Sequence, residues 1–101
     1  MIVVNVTYTV NDAYVSTNKE LIQKFLTDFK KLDSTQFLYT ILQTEDGKTF
    51  THISQYKNKD IQSVLLNTPS FLHFQKERDQ NLTSAPKIEV LNFIGSSKEV
   101  L

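Results

Sequence analysis

Cysteine and tryptophan are absent from this 101-residue chain, and glycine and proline occur only twice each. Without cysteine there is no disulfide framework, no thiolate metal ligand and no cysteine nucleophile. So little glycine and proline does not fit a linker or a disordered segment. Charge of one sign is also lacking in excess. Lys and Arg total 11, Asp and Glu total 11, and the formal net charge is zero. With no basic excess and no basic stripe along a helix, a nucleic-acid partner is not expected. A net charge near zero also offers little electrostatic resistance to self-association. No apolar run approaches membrane-spanning length. The opening MIVVNVTYTV is apolar, but it has no charged lead and no small-residue cleavage site, and it alternates too regularly for a signal peptide. The default expectation is a soluble, cytoplasmic protein with no membrane partner. What the chain does have is 40% hydrophobic and 11% aromatic residues, enough for the core of one small domain.

The elements follow from periodicity. Ile2, Val4, Val6, Tyr8 and Val10 alternate with Val3, Asn5, Thr7 and Thr9, the period-two signature of a strand. Thr17 and Glu20 form a capping-box pair ahead of Leu21, Ile22, Phe25, Leu26, Phe29 and Leu32, predicting an amphipathic helix from about Asn18 to Leu32. A strand over 36–43 and another over 49–56 flank Glu45-Asp46-Gly47-Lys48, whose Asp-Gly pair signals a hairpin. Asn58 can cap a short helix carrying Ile61, Val64 and Leu65. Thr68 can cap a second one that begins with Pro69 and carries Phe71, Leu72 and Phe74. After Ala85-Pro86, a last strand is predicted over Lys87–Ile94. The order βαββαβ predicts an α+β, ferredoxin-like domain over residues 1–95: a four-stranded antiparallel sheet with helices on one face, followed by a tail over 96–101.

A sheet covered on one side should alternate apolar and polar on every strand. Two strands break that rule. Phe37, Tyr39 and Ile41 oppose Leu38 and Leu42, and Ile88, Val90 and Ile94 oppose Leu91 and Phe93. Leaving a Leu or Phe side chain wet forgoes roughly 1.5–3 kcal/mol, so the second face is expected to be covered. With no second domain in the sequence, the simplest cover is another copy, giving a twofold homodimer with sheet against sheet.

The stretch from Phe50 to Phe74 carries a resemblance. A strand ends in an aromatic, Tyr56. A polar turn, Lys57-Asn58-Lys59-Asp60, leads into a short helix, and a second helix restarts at Thr68-Pro69 with Phe71 close behind. With the element order from Ile2 to Gly95, this resembles the dimeric α/β-barrel proteins, in particular the antibiotic-biosynthesis-monooxygenase-like group. That group includes oxygenases, haem-degrading enzymes, isomerase-like proteins and members of unknown function. The resemblance implies cofactor-independent oxygenation of an electron-rich aromatic. The common pattern has an acid where this chain has Ser54, most often Trp where it has Tyr56, and often histidines at the positions of Leu65 and Ser70. The haem-degrading branch places an Asn on the first strand, a Trp before the restart and a His on the following helix. Here Asn5 lies on the polar side of its strand, and the other two positions read Leu65 and Gln75. Haem degradation is not expected, and no other cofactor is indicated.

Candidate chemistry rests on few residues. His52 shares a strand face with Phe50, Ser54 and Tyr56, and it is the candidate general base; the alternative is a buried histidine satisfied by a neighbour. Tyr8, Tyr39 and Tyr56 lie on strands and are expected to share a pocket with Ser54, suited to a planar phenolic or quinone-like ligand. Plain packing is the alternative. His73 is a weaker pocket candidate, since its helix face is less apolar than that of Phe71 and Phe74. Arg78, the sole arginine, can clamp a carboxylate or pair with Glu77 or Asp79. Two distant histidines do not make a metal site, and isolated Gly47 and Gly95 make no phosphate loop. Two functions stay open: a monooxygenase on a phenolic or quinol-type substrate, or a non-catalytic ligand-binding or stress-associated homodimer that has lost the group's active-site residues.

Overall fold

In the computed structural model, which describes residues 1–101, β1 (Ile2–Thr9) leads through a 3-10 turn (Asp12–Tyr14) into α1 (Val15–Phe29). The hairpin of β2 (Phe37–Gln43) and β3 (Thr49–Tyr56) follows, then α2 (Lys59–Leu66), α3 (Pro69–Asp79) and β4 (Lys87–Leu91). Every strand pair is antiparallel, and the sheet order is β2-β3-β1-β4. This is the ferredoxin-like α+β arrangement that the element order predicts, its second helix split in two by Thr68-Pro69.

Strand parity is cleanest in β3. Phe50, His52, Ser54 and Tyr56 are all buried, and the residues between them are half-buried. Pairing carries that face across the sheet: Tyr8 lies opposite Phe50, Val6 opposite His52, and Val4 and Tyr39 opposite Ser54. Against it pack Leu21, Ile22, Phe25 and Phe29 of α1 and Phe71 and Phe74 of α3. Phe25 sits at the middle, its ring centroid 5.0 Å from Phe29, 4.9 Å from Phe74 and 5.1 Å from Phe71. Edge-to-face aromatic pairs of this kind contribute about 0.5–1.5 kcal/mol beyond their burial.

Element boundaries depart from the expectation in three places. α1 starts at Val15 rather than Asn18 and ends at Phe29 rather than Leu32; its N-cap position is Tyr14, with no side-chain cap. The Thr17–Glu20 pair therefore lies inside the first turns, because burial of Tyr14 and Asn18 draws the helix toward the N-terminus. Thr68 holds the N-cap position of α3, but its hydroxyl donates back to the Val64 carbonyl at 3.2 Å and ties the end of α2 to the start of α3. β4 stops at Leu91, not Ile94. Leu91 pairs with Val3, and one step further β1 itself ends, so no ladder is left to extend. Asn58 does cap α2, its Oδ1 accepting from the Ile61 N–H at 3.1 Å.

The helical layer stops short of β4. Ile88 and Val90 lie on the helix side, opposite Val6 and Val4, yet remain 65% and 77% exposed. On the other face, Leu38, Leu42, Leu91 and Phe93 are also exposed. No helix is long and apolar enough to cross a membrane.

The β2–β3 hairpin is closed by Asp46 and Gly47. The Asp46 carboxylate accepts from the Thr44 hydroxyl at 2.6 Å, the Thr49 hydroxyl at 3.0 Å, and the N–H groups of Lys48 and Thr49 at 2.8 and 3.0 Å. Those four donors, the Thr44 hydroxyl foremost, hold its pKa well below the usual carboxylate range. Gly47 takes φ of +78°, the left-handed region that costs a residue with a Cβ about 1–2 kcal/mol. Space is open around it, so the strain is purely one of backbone. Gly47→Ala is therefore expected to lower stability in urea denaturation by about 1 kcal/mol, whereas Gly95→Ala, also in open space, changes it by less than about 0.5 kcal/mol. Equal midpoints for the two variants would contradict the turn assignment.

Candidate functional site

Between the sheet and the helices α2 and α3 lies a cavity of about 130 Å³. Its floor comes from Val4 and Val6 of β1, Tyr39 of β2, and His52, Ser54 and Tyr56 of β3. Gln62, Leu66, Phe71, Gln75 and Arg78 form the helical wall, and Pro86 and Ile88 stand at the β4 side. Leu66 and Ile88 are exposed, so the mouth opens where the helical layer stops short. Three larger depressions, of about 270, 220 and 510 Å³, lie between α1 and β2, at the β2 edge near the end of α1, and among the C-terminal residues. None contains a histidine or an arginine, and Tyr39 is the one tyrosine among them.

His52 is the centre of a buried hydrogen-bonded chain. Its Nε2 lies 2.8 Å from the Tyr8 hydroxyl, and its Nδ1 lies 2.7 Å from the Tyr39 hydroxyl. Asn18 Nδ2 donates to Tyr8 Oη at 3.0 Å. Either tautomer leaves one tyrosine hydroxyl without an acceptor in the chain. Tyr8 does not line the cavity and Tyr39 does, so we assign the Tyr8 O–H to His52 Nε2, which puts the imidazole N–H on Nδ1, donating to Tyr39. The Tyr39 O–H is then left over, on the residue that lines the cavity. Burial, and after it the nearby Arg78 charge, pull the His52 pKa down to about 3. Burial pushes the Tyr39 hydroxyl well above its usual range and raises Tyr8 and Tyr56 as well; a hydrogen bond from Ser54 moderates Tyr56. At neutral pH the whole chain is uncharged.

Arg78 is the only charged residue lining the cavity, and it is 9% exposed. It projects from the same face of α3 as Phe71 and Phe74, at spacings of seven and four residues. Its guanidinium lies 5.1 Å from the Tyr8 ring centroid and 5.2 Å from that of Phe74, a cation–π seat worth up to about 2 kcal/mol when desolvated. Nε and Nη2 both donate to Asp79 Oδ1, at 3.2 and 3.0 Å. Phe74 also carries the imidazole, which stacks on it at 5.5 Å. Tyr8 and Phe74 thus support both polar groups of the cavity.

The structure brings together five of the sequence candidates: Tyr8, Tyr39, His52, Ser54 and Tyr56. Tyr8 supports His52 from behind and does not line the cavity. His73 is not among them: it is exposed, on the turn of α3 away from Phe71 and Phe74, because one residue along a helix rotates a side chain by about 100°. Asn5 lies on the open sheet face, where its Nδ2 donates to Glu89 at 3.5 Å. Leu65 is fully buried core, and the Ser70 hydroxyl donates to Asp28 at 2.6 Å, joining α3 to α1. No group of three or more His, Asp or Glu residues is placed to hold a metal ion. Asn18 is the residue that sequence reasoning missed. Its signal was present: it falls three, four and seven residues before Leu21, Ile22 and Phe25, a polar side chain on an apolar stripe.

Solved structures share this fold. An antibiotic biosynthesis monooxygenase superposes with a TM-score of 0.79 at 9% identity, over 94% of this chain and 100% of its own. A Nitrosomonas europaea protein assigned provisionally to the same monooxygenases gives 0.80 at 16% identity, over 94% and 100%. A Mycobacterium tuberculosis protein, Rv0793, gives 0.79 at 14%, over 96% and 98%. The chain has the fold of the antibiotic-biosynthesis-monooxygenase-like proteins. No protein-family model matches the sequence, and no curated protein matches it. At these identities the likeness is one of fold.

The His52 pKa fixes a stability profile. Its folded value lies below the ordinary 6.5, so the unfolded chain takes up a proton first as pH falls, and stability is lost from about pH 6.5 downward. Between pH 7 and pH 5 the expected loss is about 2 kcal/mol. Urea titrations should record it, and His52→Gln should remove most of the slope; a slope unchanged in that variant would contradict the assignment.

Proposed function

We propose that this chain is a cofactor-independent monooxygenase acting on a small phenolic or quinol-type substrate, working as a soluble cytoplasmic homodimer. The observation that carries this reading is a single cavity in which one buried arginine faces an otherwise uncharged wall that includes Tyr39 and His52. An electron-rich phenol is activated toward oxygen by losing its proton, and a guanidinium in a low-dielectric pocket favours that anion. The ionised substrate then reduces dioxygen itself and forms a carbon–oxygen bond to it. The resulting peroxide anion takes up, through the Tyr39 hydroxyl, the proton that the phenol released to water at the mouth, and becomes a hydroperoxide. The O–O bond then breaks, and the departing hydroxide leaves as water with the proton of the ring carbon. Phenol and O2 become quinone and water, with one oxygen atom in each. In this scheme His52 keeps its proton and acts through Tyr39, whose hydroxyl oxygen accepts its Nδ1–H. Val4, Val6 and Phe71 shield the anion on the sides away from the mouth.

A second reading has its own support. A histidine whose pKa is held near 3 is a reluctant proton acceptor at neutral pH, which favours a protein that binds such a ligand without turning it over. Oxygen-electrode assays with a panel of monocyclic quinols and phenols separate the two. Uptake above the buffer rate is expected, reduced at least about tenfold in both His52→Ala and Tyr39→Phe, the scale of lost general acid–base catalysis. Turnover indifferent to His52→Ala would remove His52 from the chemistry. Binding of the panel without any oxygen uptake would establish the non-catalytic reading.

The homodimer is supported by the open sheet face. Leu38 and Leu42 at one edge and Leu91 and Phe93 near the other remain exposed, while Thr7 with Thr51 and Thr9 with Thr49 satisfy their hydroxyls in pairs between them. A second copy over this face would bury the apolar flanks. Sedimentation at micromolar concentration is expected to give a dimer and Leu42→Glu a monomer. A monomeric wild-type protein would overturn the assembly.

A further inference from the structure

On the reading of this cavity as the substrate site, we infer that its ligand is a single-ring aromatic acid bearing a hydroxyl group, its carboxylate seated on Arg78 and its hydroxyl hydrogen-bonded to Tyr39. Size comes first. A cavity of about 150 Å³ lined by apolar side chains holds one benzene molecule, and this one measures about 130 Å³. Its open mouth at Leu66 and Ile88 adds room beyond that volume, so the scale of ligand is one substituted ring.

Charge comes second. Asp79 occupies only one edge of the guanidinium, the edge formed by Nε and Nη2, and does so through a single oxygen. Nη1 and the other N–H of Nη2 form a second edge of two parallel donors, and Nη1 has no hydrogen-bond partner in the chain. That edge matches the two oxygens of a carboxylate, the planar bidentate pairing for which arginine is suited; a lone phenolate oxygen would engage it less completely. No acidic residue lines the cavity to compete. That edge makes no hydrogen bond within the chain, so an anion entering here adds an interaction to the guanidinium.

The second polar anchor is Tyr39. Its O–H is the donor left over from the chain Asn18–Tyr8–His52–Tyr39, and it lines the same cavity as Arg78. A ligand hydroxyl can accept from it. The apolar surface of Phe71 and Val6 then contacts the ring between the two anchors.

Isothermal titration with 4-hydroxybenzoate, its near-isosteric amide 4-hydroxybenzamide, and benzoate tests both anchors. The acid is expected to bind at least about tenfold more tightly than the amide, the scale of a hydrogen bond to a charged group. Arg78→Gln should abolish the difference between acid and amide. Tyr39→Phe should abolish the preference for 4-hydroxybenzoate over benzoate. If Arg78→Gln fails to fold, the acid-to-amide ratio on the wild-type protein decides alone. An amide that binds as tightly as the acid, or no binding of either at millimolar concentration, overturns the inference. Because the readout is binding, it separates from the monooxygenase reading. Acid-selective binding with no oxygen uptake leaves the ligand class standing, whereas uptake with neutral quinols and no acid preference does the reverse.

Discussion

A neutral imidazole held between two tyrosine hydroxyls connects most of this fold. Tyr8, His52 and Tyr39 come from three adjacent strands, and Asn18 joins them to α1. Tyr8, His52 and Asn18 are buried, where an unmade hydrogen bond costs about 1–3 kcal/mol, and Asn18 Oδ1 alone among their polar atoms stays without a partner. The chain holds only in one strand register, because a slip of a single residue would turn every strand side chain to the opposite face. The apolar core alone tolerates some substitution. The hydrogen-bonded chain is less forgiving, so it specifies which packed state is reached. The aromatic cluster around Phe25 surrounds it and keeps it dry.

The same constraint sets what Arg78 can be. An arginine on the core face of α3 would ordinarily be excluded for the desolvation of its charge. Here two aromatic rings lie against it, and Asp79 neutralises one edge from the surface. The supports are shared, since Phe74 carries the imidazole and the guanidinium together. The protein therefore places one uncharged polar group and one cation in a common apolar frame.

Much of this was legible in the chain because β-strand parity is a strict rule. Reading Phe50, His52, Ser54 and Tyr56 as one face put four side chains correctly inside, and the alternation of β1 and β2 added Tyr8 and Tyr39. Helices were less transparent. Asn18 was taken as the start of α1, where a polar residue needs no explanation, although the helix begins three residues earlier and makes it a core position. Arg78 shares its stripe with Phe71 and Phe74, but exposed Leu72 on the other side of α3 blurs the amphipathic pattern, so its burial could not be decided from spacing alone. The length of β4 depended on where its partner strand ended, a property of the pairing and not of residues 92–94 themselves. His73 shows the cost of sequence proximity as a guide, for it stands beside core Phe74 and faces water.

One consequence of the shifted acidities extends beyond the fold. His52 is held neutral down to acidic solution, the hydroxyls of Tyr39 and Tyr56 are pushed upward, and a guanidinium does not lose its proton in a protein. No other ionisable side chain lines the cavity. Its electrostatic character is thus constant over the whole range in which the protein would work. Changing the buffer cannot retune this cavity. Any variation of ligand affinity across neutral pH must then trace the ionisation of the ligand, and the protein becomes a fixed reference against which an unknown molecule's own acidity can be read.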